Sequence, residues 1–183
     1  MTVLEAVDYS EKKLEQHEFD DCTFVNCNFS KSDLRAIEFL DCRFQGCNLA
    51  LALLDNAGIK NIDFKDCKLM GIDFSKCNDF LFSASFENCQ LDYCSFYKKK
   101  IKKVNFSKCS MKNVDFTETD LSMGVFDNCD LLDAVFIQSI LEKADFRTAR
   151  NYAFDPEVNR MKKAKFSMPE VLGLLGKYNI DIE

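Results

Sequence analysis

Large apolar side chains recur at every fifth position along most of this chain. The series runs from 14 to 74 and resumes from 81 to 146, and fourteen of the eighteen phenylalanines lie on its central positions. Five residues rotate an α-helix by ~140° and move to the opposite face of a strand, so neither element can bury this pattern. The backbone must therefore turn once in every five residues, which predicts an all-β solenoid with the central residues inside.

The position two before each centre is mostly occupied by small or branched residues, and the ten cysteines, such as Cys27 and Cys89, fall in this phase. Disulfides are geometrically conceivable between stacked pairs such as Cys22 and Cys42. The Cys-x4-Cys spacing, however, follows the repeat and adds no separate ligand pattern. We therefore interpret the cysteines as small apolar core residues and predict neither a metal site nor a cofactor.

The quintets Cys27-Asn28-Phe29-Ser30-Lys31 and Ala144-Asp145-Phe146-Arg147-Thr148 resemble the pentapeptide-repeat family. The resemblance covers residues 14–148 and implies a right-handed quadrilateral β-helix with four repeats per coil. In the second series phenylalanine alternates with aliphatic residues, which places the rings on two opposite sides and stacks them ~4.8 Å apart. Residues 145–156 and 163–167 further resemble the end of bacterial quinolone-resistance (Qnr-like) and microcin-immunity (McbG-like) members.

Three segments are expected: an N-terminal cap or irregular first coil at 1–13, the repeat β-helix at 14–148, and a C-terminal cap at 149–183. Two extra residues break the register near 75–81, before Leu81. Lys99 falls on an inward position, where an unpaired ammonium is costly, so we predict a local bulge or a side chain that snorkels outward. His17 also falls on an inward position and is interpreted as structural.

The C-terminal cap contains the capping-box sequence Ser167-Met168-Pro169-Glu170, which predicts a capping α-helix over about 168–177. Its apolar stripe is either buried on the chain's own β-helix or forms a homodimer contact, and the Qnr-like resemblance implies dimerisation through this end. Outward apolar residues near this end, such as Met123 and Ile137, need the same cover or a partner subunit. The candidate cap and dimer residues are Phe154, Val171, Leu172, Leu174, Leu175 and Tyr178.

Charge is distributed unevenly, with a net −8 over residues 1–97 and a net +4 over residues 98–167. Stacking of residues twenty apart places five acids on one side of the first coils: Glu18, Asp20, Asp21, Glu38 and Asp41. A rod of duplex-like width with acids along one side can imitate DNA. The Qnr-like resemblance implies binding to DNA gyrase and topoisomerase IV, with protection from quinolones or toxins, although Lys60 ends the acidic side.

The alternative function is a generic scaffold for another protein partner without a topoisomerase role. Its candidate contact patches are an outward apolar pair and a lysine run: Leu51, Leu53, Lys98, Lys100, Lys102 and Lys103. For the apolar pair, a local bulge is the simpler interpretation.

An enzyme is not expected. The chain has neither a Gly-rich phosphate loop nor a nucleophile pattern around its single histidine, and the aspartates before the centres recur with the repeat. A net charge of −6 disfavours direct nucleic-acid binding. The longest apolar runs are too short to span a membrane, and the N-terminus lacks the pattern of a secretory signal, so we expect a cytoplasmic protein.

Overall fold

Parallel strands stacked twenty residues apart build a four-sided β-helix in the computed structural model, which describes residues 2–181. Phe24 pairs with Phe44, and Phe44 pairs with Phe64, so each coil lies directly on the one before it. The predicted fold class, an all-β right-handed quadrilateral solenoid, is confirmed. The backbone turns because most quintets end in a corner residue with positive φ, for example Asn26 at 53° and Lys31 at 55°, a conformation that Asn, Asp and Gly adopt most readily.

The strands are short and lie on two of the four sides. Side 1 carries a seven-stranded parallel sheet in the order β1-β3-β5-β7-β8-β9-β10, and side 4 carries a three-stranded sheet, β2-β4-β6. Sides 2 and 3 stack through isolated bridges such as Asn28 to Asn48 and Asp33 to Leu53. The bounds are β1 Thr2–Glu5, β2 Glu18–Asp20, β3 Cys22–Val25, β4 Glu38–Leu40, β5 Arg43–Gln45, β6 Gly58–Lys60, β7 Ile62–Lys65, β8 Ala84–Glu87, β9 Asn105–Ser107 and β10 Val125–Asp127.

Two columns of stacked phenylalanine rings fill the interior. On side 1 the rings of Phe86, Phe106 and Phe126 are 5.1 and 5.4 Å apart. On side 3 Phe96 and Phe116 are 5.4 Å apart, and Phe96 meets Phe106 edge to face at 5.9 Å. The predicted placement of the rings on opposite sides is therefore confirmed, and each ring pair adds ~0.5–1.5 kcal/mol beyond the burial of its area.

All ten cysteines are buried free thiols. Six of them form one column on side 2: Cys27, Cys47, Cys67, Cys89, Cys109 and Cys129. Each thiol in this column donates to a carbonyl of the coil before it, as in the 3.3 Å contact from Cys47 Sγ to the Phe24 oxygen. The interpretation of the cysteines as small core residues is confirmed, and burial raises the pKa of the Cys94 thiol to about 12.

The register break follows a 3-10 helix at Phe74–Lys76, in which the Ser75 N–H donates to the side chain of Asp73, the N-cap residue. Across the break the stacking offset is twenty-two residues, since Ile62 pairs with Ala84, and it returns to twenty in the next coil, where Ser85 pairs with Asn105. Leu81, predicted as the first centre of the second series, is 65% exposed and has a φ of 58°. That prediction is wrong because the extra residues carry the chain outward, and Phe82 packs against the core instead.

The first coil is regular. Residues 2–13, expected as a cap or irregular coil, bridge the second coil in the same twenty-residue offset, with Thr2 opposite Cys22 and Lys13 opposite Asp33. His17, expected inside, is exposed. It lies in the first coil, at the open end of the stack, where among residues 2–181 there is no earlier coil to cover it.

The C-terminal cap contains two 3-10 helices, Glu170–Leu174 and Gly176–Tyr178, instead of the expected α-helix. The capping box is also absent: Pro169 is the N-cap without a side-chain bond, and Glu170 accepts the Asn151 N–H at 2.9 Å. Gly173 lies so close to the Tyr152 carbonyl that a Cβ would collide with it, and glycine is a weak α-helix former. Among residues 2–181, no helix has the length and apolar character needed to cross a bilayer.

Candidate functional site

Side 4 brings together most of the charged residues that the sequence singled out. We number its rows from the N-terminal end by their inward residue: Phe19, Phe39, Ile59, Phe82, Ile101, Leu121, Leu141 and Met161 for rows 1 to 8. In each regular row the residues just before and just after the centre point outward, and the next residue forms the corner with side 1. Rows 1 and 2 are acidic, row 4 contains the register-break loop, and rows 5 and 8 are basic.

The five predicted acids lie together in rows 1 and 2. Glu18 pairs with Glu38 across the sheet, and Asp20 lies opposite Leu40. Glu38 is half-buried because its carboxylate lies over Gly58, where a Cβ would collide, and it reaches the Lys60 ammonium at 2.6 Å. The remaining acids are exposed. The acidic area therefore ends at row 3, as expected from the position of Lys60.

The lysine run is divided between two sides. Lys100, Lys102 and Lys103 are exposed in row 5, where Lys102 lies 3.3 Å from Asp120 of the next row. Lys98 stands at the corner with side 3, 4.8 Å above the Tyr97 ring and 3.6 Å from Glu118. Three of the four predicted lysines therefore share a side with the acids, a relation that was not predicted.

Lys99 points inward and is 1% exposed, so neither predicted outcome for its side chain is correct. Its ammonium lies 2.6 Å from the Asp79 carboxylate and 5.1 Å from the centre of the Phe82 ring. It also donates to the Cys77 carbonyl. The bulge lies in the row beneath Lys99, and the register-break loop supplies the partners that the ammonium needs.

At the Cys77 carbonyl, the Lys99 ammonium takes the place of a backbone N–H donor. In neighbouring rows the equivalent carbonyl accepts a backbone N–H of the next coil, as Ala57 accepts from Asn78 and Lys99 from Asp120. At Cys77 the side-chain ammonium occupies this acceptor. Lys99 therefore fastens the loop to the coil above it.

The loop presents two apolar side chains to solvent. Phe80 is 66% exposed and Leu81 is 65% exposed, and the Lys60 ammonium lies 5.5 Å from the Phe80 ring centre. The repeat pattern did not single out Phe80. A signal was present, since omission of Asp79 and Phe80 leaves Cys77-Asn78-Leu81-Phe82-Ser83, a regular quintet.

The other predicted contacts lie away from side 4. Leu51 and Leu53 are 53% and 47% exposed around side 3, and their backbone bonds to adjacent coils are regular, which contradicts a local bulge. Met123, Val125, Leu132, Val135 and Ile137 stay exposed. These five are distributed over several sides, so no single cover could bury them all.

The cap residues divide into two groups. Phe154 and Leu174 are buried, and Val171 packs against the core, whereas Leu172 and Tyr178 are 47% and 46% exposed. Leu175 is half-buried. One part of the stripe therefore covers the chain's own β-helix, and the other part faces solvent at its end.

Side 4 offers ionic and apolar contacts on its surface. Within residues 2–181, no group of three or more His, Cys, Asp and Glu side chains is arranged to hold a metal ion. The interior is filled by stacked rings and buried thiols. What the solenoid presents is a set of outward surfaces, of which side 4 has the strongest separation of charge and the exposed loop.

These features define a parallel β-solenoid of five-residue repeats. The family model described as "Pentapeptide repeat region" matches residues 17–79 and 80–150, and the chain belongs to that family. No curated protein sequence matches the chain significantly.

Solved structures show the same fold. A trypsin-treated variant of QnrB1, described as a plasmid-mediated fluoroquinolone resistance protein, is similar with a TM-score of 0.66 and 17% identity, over 100% of this chain and 99% of that one. HetL, a pentapeptide repeat protein involved in heterocyst differentiation regulation from the cyanobacterium Nostoc sp. strain PCC 7120, gives 0.61 and 19% identity, over 92% and 75%. At such identities the likeness describes the fold alone.

Proposed function

We propose that this protein is a non-enzymatic scaffold that binds another protein through side 4. The observation that carries the proposal is the loop at row 4, where Phe80 and Leu81 are exposed on a segment fastened by the buried Lys99. Exposed aromatic anchors on a preorganised segment bind well because little conformational entropy is lost on association. Charged rows on both sides of the loop would orient the partner.

The filled interior supports a role without catalysis. Enzyme sites are usually concave and enclosed, with a few converging polar groups. Here the surface depressions lie between rows of outward side chains. One of about 370 Å³ is lined by side chains that include Asp66, Lys68, Asn88 and Lys108. Such an open groove exposes a reactant to water and suits a contact surface better.

A topoisomerase partner is the more specific candidate. Its support is the group of acids in rows 1 and 2, together with the fold shared with QnrB1. The acids occupy only two rows ~4.8 Å apart, whereas DNA carries a charge every ~1.7 Å along its axis. Rows 5 and 8 are basic. We therefore rank imitation of DNA below the general scaffold. A homodimer formed through the exposed Leu172 and Tyr178 has the same lower rank as imitation of DNA.

The scaffold proposal is tested by affinity capture with matched variants. Wild type is compared with Phe80→Ser plus Leu81→Asn, and with Leu51→Ser plus Leu53→Ser as an apolar control on side 3. We expect a protein captured by wild type and by the control to be lost with the loop variant. Equal capture by all three chains would contradict binding through side 4.

The topoisomerase candidate is tested by gyrase and topoisomerase IV supercoiling assays with and without a quinolone. Glu18→Lys plus Asp20→Lys should remove any protection, while Glu5→Lys plus Glu11→Lys, on other sides, should retain it. Absence of an effect at excess wild-type protein would exclude this candidate and leave the scaffold proposal standing.

A further inference from the structure

The charges at the first row of side 4 are opposite in sign to the charges at its last row. Row 1 carries three carboxylates, Glu18, Asp20 and Asp21, and row 8 carries three cations at the same quintet positions, Arg160, Lys162 and Lys163. These are the two ends of one straight side, since every row between them continues the same stack. Two copies laid antiparallel would bring these ends together twice.

We propose that side 4 binds a second copy of this chain in an antiparallel, two-fold arrangement. A two-fold axis that lies in the interface, parallel to the strands and between rows 4 and 5, reverses the row order and keeps the position within each quintet. Asp20 of one copy then faces Lys162 of the other, Asp21 faces Lys163, and Asp41 faces Lys143. The inference does not rest on the proposed function, although both would use the same acids and the same exposed loop, so a second copy and another partner would compete for side 4.

The middle rows fit the same axis. Row 4 meets row 5, so the exposed Phe80 and Leu81 of each copy lie near the axis, against Lys100, Lys102 and Lys103 of the other copy. A lysine ammonium above an aromatic ring is a favourable contact, and within one chain the Lys60 ammonium already lies 5.5 Å from the Phe80 ring centre. The intrachain pairs also remain possible, because Lys102 to Asp120 and Arg160 to Glu142 link adjacent rows of one copy.

Leu81 adds apolar surface to the centre of this interface. It is a loop residue just before the inward Phe82, it has a φ of 58°, and 65% of the residue is exposed. Leu51 has a similar φ and exposure on side 3, so what distinguishes Leu81 is its position beside the axis. A second copy placed there would cover its side chain.

The contact area indicates a weak dimer. Eight rows spaced ~4.8 Å apart extend ~34 Å, and a side five residues wide measures ~16 Å. The buried area is then ~500 Å² per copy and ~1,000 Å² in total, at the lower limit for a specific interface. Affinity should therefore depend on ion pairs and fall as salt rises.

The test is a charge exchange followed by sedimentation velocity. The acid-reversed chain is Asp20→Lys plus Asp21→Lys, and the base-reversed chain is Lys162→Glu plus Lys163→Glu. Each alone should lose at least ~10-fold in self-affinity, and an equimolar mixture should regain a dimer, because opposite ends again face each other. Lys68→Glu plus Lys108→Glu, on other sides, is the matched control and should dimerise like wild type.

Two further measurements distinguish a side 4 dimer from a dimer formed through the C-terminal cap. Leu81→Asn should weaken the side 4 dimer without lowering the melting temperature, since asparagine adopts a positive φ more readily than leucine. Raising salt from ~50 to ~500 mM should dissociate wild type. A wild type that stays monomeric at low salt would overturn the proposal. A dimer that survives both charge reversals and disappears only with Leu172→Glu plus Tyr178→Glu would also overturn it, because the cap would then be the interface.

Discussion

Asp79→Asn removes the one carboxylate that, among residues 2–181, lies against the buried Lys99 ammonium. Lys99 keeps its bond to the Cys77 carbonyl, and its stem stays enclosed. The substitution therefore leaves a desolvated charge with one neutral acceptor and the Phe82 ring. We expect a loss of stability because a buried ammonium without a counter-charge is unfavourable.

The size of this loss follows from the unequal burial of the two partners. The Lys99 side chain is 2% exposed and the Asp79 side chain is 85% exposed. A surface ion pair contributes ~0.2–1 kcal/mol, and removal of one partner from a fully buried pair costs ~3–5 kcal/mol. With one partner in solvent we expect ~2 kcal/mol, which lowers the melting temperature by ~4–8 °C in a chain of this size.

A double-mutant cycle measured by urea unfolding isolates the pair. Lys99→Met keeps the volume and removes the charge, but it leaves the Cys77 carbonyl without its donor at a cost of ~1–3 kcal/mol. Replacement of a buried ion pair by apolar groups is neutral or stabilising by ~1–4 kcal/mol, and the exposed Asp79 carboxylate stays solvated without its partner, so Lys99→Met should stay within ~1 kcal/mol of wild type. In that background Asp79→Asn should change stability by less than ~0.5 kcal/mol.

The decisive quantity is the coupling energy between the two substitutions, expected at ~1.5–2 kcal/mol. If Asp79→Asn costs the same in both backgrounds, the carboxylate supports the loop through other contacts, and it is not the counter-charge that stabilises Lys99. Asp66→Asn is a suitable control, since this acid lies at a corner of side 1, away from the loop, and should show no coupling to Lys99.

Three other predictions concern the repeat and its core. Deletion of Asp79 and Phe80 restores a regular quintet, so it should be tolerated with Lys99→Met and be strongly destabilising with native Lys99, as urea unfolding would show. Burial raises the pKa of the Cys77 and Cys94 thiols to about 12, compared with ~8.5 for a thiol in an unfolded chain. The stability that these thiols contribute should therefore be complete below pH ~8.5 and fall by ~1.4 kcal/mol per thiol and pH unit toward pH 12. A melting temperature that does not change up to pH 11 would contradict this. Phe106→Ala should cost ~3–5 kcal/mol because the ring is fully buried between two others, whereas the exposed Phe80→Ala should cost less than ~0.5 kcal/mol.

The repeat period alone predicted most of the fold, because it states which residues must share an axis. It located both phenylalanine columns and the buried thiols. It did not locate Phe82, since Leu81 also lies five residues before Phe86 and only the path of the inserted residues decides which side chain turns inward. Nor did it find the partner of Lys99, because Asp79 is twenty residues away and reaches it through the insertion. The cap helix was mispredicted because close packing of Gly173 on the Tyr152 carbonyl overrides the apolar stripe.

The charges on side 4 are the part of the molecule that the fold does not require. Two inward positions in each quintet specify the solenoid, and the side chains at the outward positions can form ion pairs with the adjacent rows. On side 1 they do so with opposite signs in adjacent rows, as in Arg43 with Asp63 and Lys65 with Glu87. On side 4 Glu18 stacks directly on Glu38, and like charges opposite each other in a sheet are destabilising. Elsewhere on side 4 opposite signs do meet in adjacent rows, as in Glu38 with Lys60 and Lys102 with Asp120. The stacked acids of rows 1 and 2 are therefore the exception on this side, and a surface that meets another protein would account for them.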